Sequence, residues 1–150
     1  MPTSEDDLSF KTYDWPEDSK IVDEGCQAIV TDGLDQFNKS MVGFTGKGVY
    51  VFMRDGENKV VGGMAGYTFG DHLHTSFLWV KESLRNKGNG TKLLKMAEDI
   101  AVKRGCKTAD LDTTDWQARP FYEKLGYTVF ATLDNCPEGH KKHFLKKDLL

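Results

Sequence analysis

The sequence predicts an α/β protein of the α+β type, with a mixed, mostly antiparallel central sheet and helices on both faces. Three observations lead to this fold class. The first half alternates apolar runs with glycine-containing turns, as β-hairpins do. The second half has the order strand, helix, strand, helix, strand, which favours local parallel pairing. The chain has 150 residues, 39 % of them apolar, and a chain of this length builds one core, so we predict a single domain over residues 1–150.

The first half is predicted to contain an early strand, a helical region and a three-stranded meander. Apolar residues recur at helical spacing over residues 19–41, and Gly25 and Gly33 favour two short helices over one long helix. The turn sequence at 55–58 lies between two apolar runs and is typical of a hairpin. The predicted strands of this half cover residues 8–13, 49–53, 59–69 and 72–80.

The second half is predicted to begin with an amphipathic helix that starts near Gly90. Its apolar residues fall on one stripe of a helix surface. Gly105 follows Lys103 and Arg104, as a C-terminal cap follows the basic last turn of a helix. The remaining predicted elements are a strand at 108–113, a helix at 117–125 and strands at 127–133 and 141–146.

Composition and charge exclude several classes of partner. The net charge is −3 at pH 7, whereas neutralising phosphates needs a basic surface, so we expect no nucleic-acid partner. No apolar stretch approaches the roughly 20 residues of a membrane-spanning helix, and the N-terminal residues are acidic and polar where a signal peptide would be basic and then apolar. We therefore expect no membrane partner. The three cysteines, Cys26, Cys106 and Cys136, lack the spacing of a disulfide framework or a zinc site. This favours reduced thiols in a cytoplasmic protein.

A glycine-rich segment between the strand at 72–80 and the following helix is the strongest candidate for a binding site. We expect Gly88 and Gly90 to adopt positive φ angles and to allow backbone to approach a ligand closely, and the N–H groups of the first helical turn favour an anion. Arg85 and Lys87 add positive charge beside them. The segment matches neither a Walker A loop nor a Rossmann fingerprint. The pattern alone leaves open a phosphate site and an ordinary tight turn before a surface helix.

Two motifs make this chain resemble the GNAT-type N-acetyltransferase superfamily. Arg85-x-x-Gly88-x-Gly90, following an apolar strand, is similar to the family signature Arg/Gln-x-x-Gly-x-Gly/Ala. Downstream, the segment 118–127 is similar to the second family motif, Ala-x-x-x-Tyr-x-x-x-Gly-Phe/Tyr. Both motifs occur in the family's order, with the expected elements between them.

The resemblance implies a single GNAT-like acetyltransferase domain that takes acetyl-CoA as co-substrate and needs no metal. It implies that the strands at 72–80 and 107–113 are parallel and splayed, with pantetheine between them. It also implies that loop amides and the helix N-terminus hold the pyrophosphate. The residues assigned to cofactor binding are Leu78, Trp79, Val80, Arg85, Asn86, Lys87, Gly88, Asn89, Gly90 and Thr91.

Asn86, Asn89 and Asp115 depart from the family pattern. Asn89 replaces a residue that is often apolar. Asn86 stands where glycine is common, and we expect it to adopt the left-handed conformation, which asparagine tolerates better than most residues. Asp115 stands where an asparagine often contacts the cofactor. Because a carboxylate beside an anionic cofactor is unfavourable, we do not assign that contact to Asp115.

Acetyl transfer to an amine needs a proton acceptor for the ammonium and an acid for the departing thiolate. The resemblance places Tyr122 at the family's tyrosine, whose hydroxyl serves as that acid. His74 lies on the strand at 72–80, where some family members carry a catalytic glutamate, and histidine titrates near neutrality. We therefore predict His74 as the base. A water relay, His72 as a substitute base, and a plain strand histidine at 74 remain open.

These observations predict an acetyl-CoA-dependent N-acetyltransferase that acts directly on a primary amine of a small molecule or peptide. The alternative is a non-catalytic acyl-CoA-binding or sensing module of the same fold. A homodimer is compatible with either function. His140 and His143 provide only two imidazoles, which strand geometry sends to opposite faces, so we expect a solvated surface there and no metal site.

Overall fold

The computed structural model describes residues 8–12 and 24–150. The chain divides into two compact units, residues 1–42 and residues 43–150. Each unit is described by itself.

In the first unit, one α-helix, α1, spans Glu24–Val42. The predicted break into two short helices is wrong for these residues. A glycine inside a helix costs only about 1 kcal/mol relative to alanine, and a helix of 19 residues accommodates Gly33. Residues 8–12 have no regular structure, so no strand forms over that part of the predicted strand 8–13. Residues 13–23 lie outside the described part of the chain.

The second unit is built on one six-stranded sheet with two α-helices. The strand order is β1-β2-β3-β4-β6-β5. All neighbouring strands are antiparallel except β3 and β4, which are parallel. This confirms the predicted mixed, mostly antiparallel fold. Among the residues that the structure describes, no helix has the length and apolar character needed to cross a membrane. The elements are β1 (Lys47–Arg54), β2 (Val60–Phe69), β3 (His72–Val80), α2 (Asn89–Lys103), β4 (Thr108–Thr114), α3 (Arg119–Lys124), β5 (Thr128–Asp134) and β6 (Lys141–Asp148).

The two parallel strands pair over only four residues and then diverge. His72 to Thr75 of β3 are in register with Thr108 to Leu111 of β4. Beyond these residues, β3 continues to pair with β2, and β4 continues to pair with β6. Ser76 has no partner in the register of β2, so a bulge falls where the divergence begins. The splayed parallel strands predicted at 72–80 and 107–113 are thus present, and the second begins one residue later.

One face of the sheet carries the hydrophobic core. Helix α2 turns its apolar stripe toward that face, and the side chains of Leu94, Ala97 and Ala101 are at most 1 % exposed. Tyr122 of α3 and Tyr127 belong to the same core. The other buried members of this core are Val49, Val51, Met64, Leu73, Val80, Leu93, Cys106, Ala109, Leu111 and Leu145.

The turn between β4 and α3 is closed by Gln117. Its side-chain oxygen accepts a hydrogen bond from the Thr114 N–H (2.9 Å), and the Thr113 hydroxyl accepts one from the Ala118 N–H (3.3 Å). Helix α3 begins at Arg119, two residues later than predicted, because Gln117 belongs to the turn. Pro120 is in the first turn of α3, where its missing N–H breaks no helical hydrogen bond.

The end of α2 is fixed to the first two strands by Arg104. Its Nη1 donates to the Lys47 carbonyl (3.2 Å) and the Thr68 hydroxyl (3.1 Å), and its Nη2 donates to the Gly48 carbonyl (3.0 Å). Gly105 follows in the left-handed conformation (φ 89°), as the predicted C-terminal cap requires. One side chain therefore joins helix α2 to strands that are distant in sequence.

Substitution Arg104→Ala should lower the free energy of unfolding by about 1–3 kcal/mol, because it removes hydrogen bonds from a charged donor to two carbonyls and to the partly buried Thr68 hydroxyl. Urea unfolding would measure this change. Lys103→Ala is the matched control, since the side chain of Lys103 makes no hydrogen bond within the described residues. An equal effect of both substitutions would contradict the role assigned to Arg104.

Candidate functional site

The segment between β3 and α2 is a loop held in shape by its own side chains. After a 3₁₀ turn at Glu82–Leu84, the Arg85 Nε donates to the Val80 carbonyl at 2.9 Å. The Asn89 side-chain amide donates to the Leu84 carbonyl at 2.8 Å. These bonds fix the shape of the loop.

Positive φ angles occur at two of the three positions where the sequence suggested them. Asn86 (φ 59°) and Gly88 (φ 83°) are left-handed. Gly90 does not have a positive φ, so the expectation that it serves the loop through this conformation is wrong. Its constraint comes from packing: a Cβ at position 90 would lie 3.3 Å from the Phe121 ring of α3. Gly88, by contrast, has open space around it.

The start of α2 presents unsatisfied N–H groups together with positive charge. The first intrahelical bond runs from the Lys92 N–H to the Gly88 carbonyl, which leaves the N–H groups of Asn89, Gly90 and Thr91 without helical partners. Arg85 uses only its Nε within the described residues, and its two Nη groups make no hydrogen bond there. This is the arrangement that favours a phosphate or another anion.

The side chains of Lys87, in the loop, and Thr91, at the helix start, have different surroundings. The Lys87 ammonium donates to the Ser83 carbonyl at 3.1 Å, which places it on the exposed side of the loop. The side chain of Thr91 lines a groove between α2, α3 and β6. Of these two residues, only Thr91 has a backbone N–H in the first turn of α2.

The gap between the diverging strands widens from Thr75 toward this loop, which follows directly after the end of β3. Residues 76–80 of β3 have no partner on β4. Apart from the Val80 carbonyl, which accepts from Arg85, their backbone groups on that edge are free for a ligand. The side chain of Val80 is in the core and that of Leu78 packs against it, whereas Trp79 is 54 % exposed on the opposite face. Leu78 and Val80 would therefore meet a cofactor through their backbone and not through their side chains.

Tyr122 is a buried tyrosine whose hydroxyl keeps its proton. The residue is 8 % exposed and packs edge-on against the rings of Phe121 and Tyr127. Burial, followed by the negative charge of Asp112, raises the pKa of Tyr122 to about 12. Within the described chain the hydroxyl has no hydrogen-bond partner, so at neutral pH it is a free proton donor.

His72 and His74 share one carboxylate oxygen. Asp110 Oδ1 lies 2.9 Å from His74 Nδ1 and 2.7 Å from His72 Nε2. His72 Nδ1 lies 2.7 Å from the Thr108 hydroxyl. A carboxylate only accepts, so the ring nitrogens that face it carry the protons. Both nitrogens of His72 are therefore engaged, while a neutral His74 keeps a lone pair on Nε2.

Sequence analysis did not select Asp110. Side chains alternate along β4, so Asp110 and Asp112 lie on the same face of a central strand. Carboxylates are rarely buried unless they are paired, so this pattern could have marked Asp110 as a candidate site residue. The pairing of Asp110 with His74 could not be predicted from the sequence, because it depends on which residues of two distant strands come into register.

Asp115 and the C-terminal histidines form a separate cluster. Asp115 accepts hydrogen bonds from His140 Nδ1 (2.9 Å) and from the Lys141 N–H (3.1 Å). Despite partial desolvation, these bonds hold the pKa of the Asp115 carboxyl below its usual value. His143 is 6 % exposed and bonded to the Thr132 hydroxyl, so the expected solvated surface is wrong at this position. In the described part of the chain, no three His, Cys, Asp or Glu side chains are grouped to hold a metal.

Comparison with known sequences identifies the family. The sequence model of the Acetyltransferase (GNAT) family matches residues 6–127. The acetyltransferase Atu2258 of Agrobacterium fabrum is 33 % identical over 130 residues, which cover 86 % of this chain and 95 % of the relative. The blasticidin-S acetyltransferase of Streptomyces morookaense is 35 % identical over 103 residues, 67 % of this chain and 76 % of the relative.

Solved structures agree with this assignment. An acetyltransferase structure from Agrobacterium tumefaciens has a TM-score of 0.82 at 30 % identity, covering 94 % of this chain and 99 % of that one. An aminoglycoside 6'-N-acetyltransferase complexed with coenzyme A has a TM-score of 0.61 at 22 % identity, over 69 % of this chain and 73 % of that one, and shows the shared fold alone. The chain belongs to the GNAT family of acetyltransferases. It is an enzyme of the acyltransferase class, which the named relatives favour over a non-catalytic binding module.

Substitution Gly88→Val should weaken acetyl-CoA binding by at least about tenfold, because a β-branched residue at φ 83° distorts the loop below the helix N-terminus. Calorimetry on the folded variant would measure it. Gly105→Val introduces the same strain (φ 89°) at the opposite end of α2, about 22 Å away. It should cost stability and leave affinity unchanged. Unchanged affinity in Gly88→Val would remove the loop from the binding site.

Proposed function

We propose that this chain uses acetyl-CoA to acetylate a primary amine of a small molecule or peptide, by direct transfer. The observation that carries the proposal is the open edge between β3 and β4. An anion-binding helix start lies at its wide end, and the pair formed by His74 and Asp110 lies at its closed end. The six residues from Thr75 to Val80 span about 17 Å from first to last, a length suited to an extended pantetheine arm.

In the proposed reaction, His74 supplies the free amine. A lysine-like ammonium with a pKa of about 10.4 is about 0.04 % deprotonated at pH 7, a deficit of about 4.6 kcal/mol. His74 Nε2 accepts this proton, since its lone pair is not used within the described chain. The amine nitrogen then attacks the thioester carbonyl carbon. As the carbon–sulfur bond breaks and the amide forms, a second proton passes from the nitrogen to solvent.

Tyr122 supplies the proton that the departing thiolate needs. A tyrosine with a pKa of about 12 remains neutral throughout the working range of pH, and its hydroxyl is held on α3 by aromatic packing. One proton passes from Tyr122 to the CoA sulfur. The tyrosine regains a proton from solvent, and His74 releases its proton there.

The acceptor class, cellular location and assembly belong to the proposal as well. A relative is named for acetylation of blasticidin S, so this compound joins polyamines, aminoglycosides, amino acids and peptides in a thiol-release screen with acetyl-CoA.

All three cysteines are unpaired, which supports a reducing compartment such as the cytoplasm. The family match crosses the boundary between the two compact units, which supports a single domain over residues 1–150. A homodimer stays a prediction, to be measured by light scattering.

Substitution Tyr122→Phe should lower kcat by at least about tenfold and leave acetyl-CoA affinity nearly unchanged, because it removes a proton donor and keeps the ring. Steady-state kinetics and calorimetry would separate the two effects. Tyr127→Phe is the matched control: it removes another buried hydroxyl, which donates to Glu98 at 2.8 Å, and should change stability but not kcat. Wild-type turnover of Tyr122→Phe would remove Tyr122 from the mechanism.

Substitution His74→Gln should remove the acidic limb of the pH profile. In the wild type, kcat/KM should rise with pH along an acidic limb, since only the neutral ring accepts a proton. His72→Gln should keep this limb, because both nitrogens of His72 are already engaged. A water relay without a side-chain base predicts the same profile for all three proteins, and that result would exclude His74.

A further inference from the structure

We propose that Asp110 is a positioning residue that sets the tautomer and orientation of His74, and so makes it a base. This inference rests on the proposed function. Asp110 lies beside the closed end of the gap where the cofactor is expected, and it acts through the imidazole at 2.9 Å. Nothing in the family motifs quoted above selects this residue.

The strand register explains why Asp110 meets His74. The two residues are direct partners in the parallel pairing of β3 and β4, in the third of the four paired positions. They therefore lie next to the point where the strands diverge, and side chains on this face point the same way. The ring of Tyr67 lies 5.2 Å from that of His74 and limits how it can turn.

The hydrogen bond with Asp110 selects one of two neutral forms of His74. With the proton on Nδ1, the ring donates to the carboxylate and its Nε2 is a free acceptor. With the proton on Nε2, the ring could not accept a proton at that atom, and Nδ1 would face the carboxylate with a lone pair. The carboxylate disfavours this second form, so the basic atom is the one that faces away from Asp110.

His72 and Thr108 hold the carboxylate in place. His72 donates to the same Oδ1 at 2.7 Å and accepts from the Thr108 hydroxyl at 2.7 Å. Asp110 therefore receives two N–H donors on one oxygen, and its own rotation is restricted. His72, which cannot itself act as the base, has a role in this arrangement.

Among the charged groups on this face of the sheet, Asp110 is the carboxylate that contacts the His74 ring. On β4, the next carboxylate on this face is Asp112, which is paired with Lys142 of β6 at 3.3 Å. In the described sheet, Asp110 is paired with His74 on β3 and with Lys146 on β6, and both partners are ionisable. When His74 becomes an imidazolium during the reaction, Asp110 is its nearest counter-charge.

The test compares Asp110→Asn with the wild type in activity and in the nitrogen spectra of the His74 ring. In Asp110→Asn, kcat should fall by about 10- to 100-fold, and the acidic limb should move to lower pH because the imidazolium loses its counter-charge. Acetyl-CoA affinity should not change. Asp134→Asn is the matched control, since it neutralises a strand carboxylate that pairs with Lys141 at 3.4 Å and faces no imidazole.

Long-range proton–nitrogen NMR of the ring provides a readout that does not depend on turnover. Spectra assigned with His74→Gln should show the Nδ1–H form in the wild type and an increased share of the Nε2–H form in Asp110→Asn. An Nε2–H form in the wild type would overturn the proposal, even if Asp110→Asn failed to fold. Wild-type kcat in a folded Asp110→Asn would also overturn it.

The outcome of His74→Gln separates this proposal from the proposed function. If His74→Gln retains the acidic limb, the base assignment fails and the positioning role fails with it. If His74→Gln loses the limb while Asp110→Asn keeps the wild-type rate and tautomer, only the positioning role fails. Loss of the limb in His74→Gln, together with a lower kcat, a limb at lower pH and a changed tautomer in Asp110→Asn, supports both.

Discussion

The divergence of β3 and β4 is the constraint on which the rest of the site depends. Parallel strands normally continue their hydrogen bonds to the end of the shorter strand, but here the pairing stops after Thr75 and Leu111. The cost is a row of backbone groups without protein partners on each facing edge. A ligand with its own amide groups would satisfy these edges, so the proposed binding in the gap requires no special side chain there.

The two sides of the gap are held apart by packing on one face of the sheet. Helix α2 lies over β1 to β3, and Arg104 fixes its end to the first two strands. Helix α3 contributes Tyr122 to the same core. On the opposite face, Asp110 joins β3 to β4 through two imidazoles in the last part of the sheet where the strands still pair. The site is thus rigid at its closed end and along its core face.

Local signals in the sequence predicted most of the fold and the binding loop. The glycines, the amphipathic stripe of α2 and the hairpin turn are set by residues within a few positions of each other, and these elements are confirmed. The errors concern properties fixed by distant residues. The constraint on Gly90 comes from Phe121, His143 is buried by its place in the sheet, and the partner of His74 is chosen by strand register. In α1 the error was one of magnitude, since one glycine weakens a long helix without ending it.

The contact between Gly90 and Phe121 ties together two motifs that are read separately in the sequence. The ring lies where a side chain at position 90 would be, and the next residue on α3 is Tyr122. The space between the two helices is therefore shared between position 90 and position 121. A larger residue at position 90 would press on the Phe121 ring, which would have to shift or become smaller. Changes in the two motifs are therefore coupled through the volume that they share.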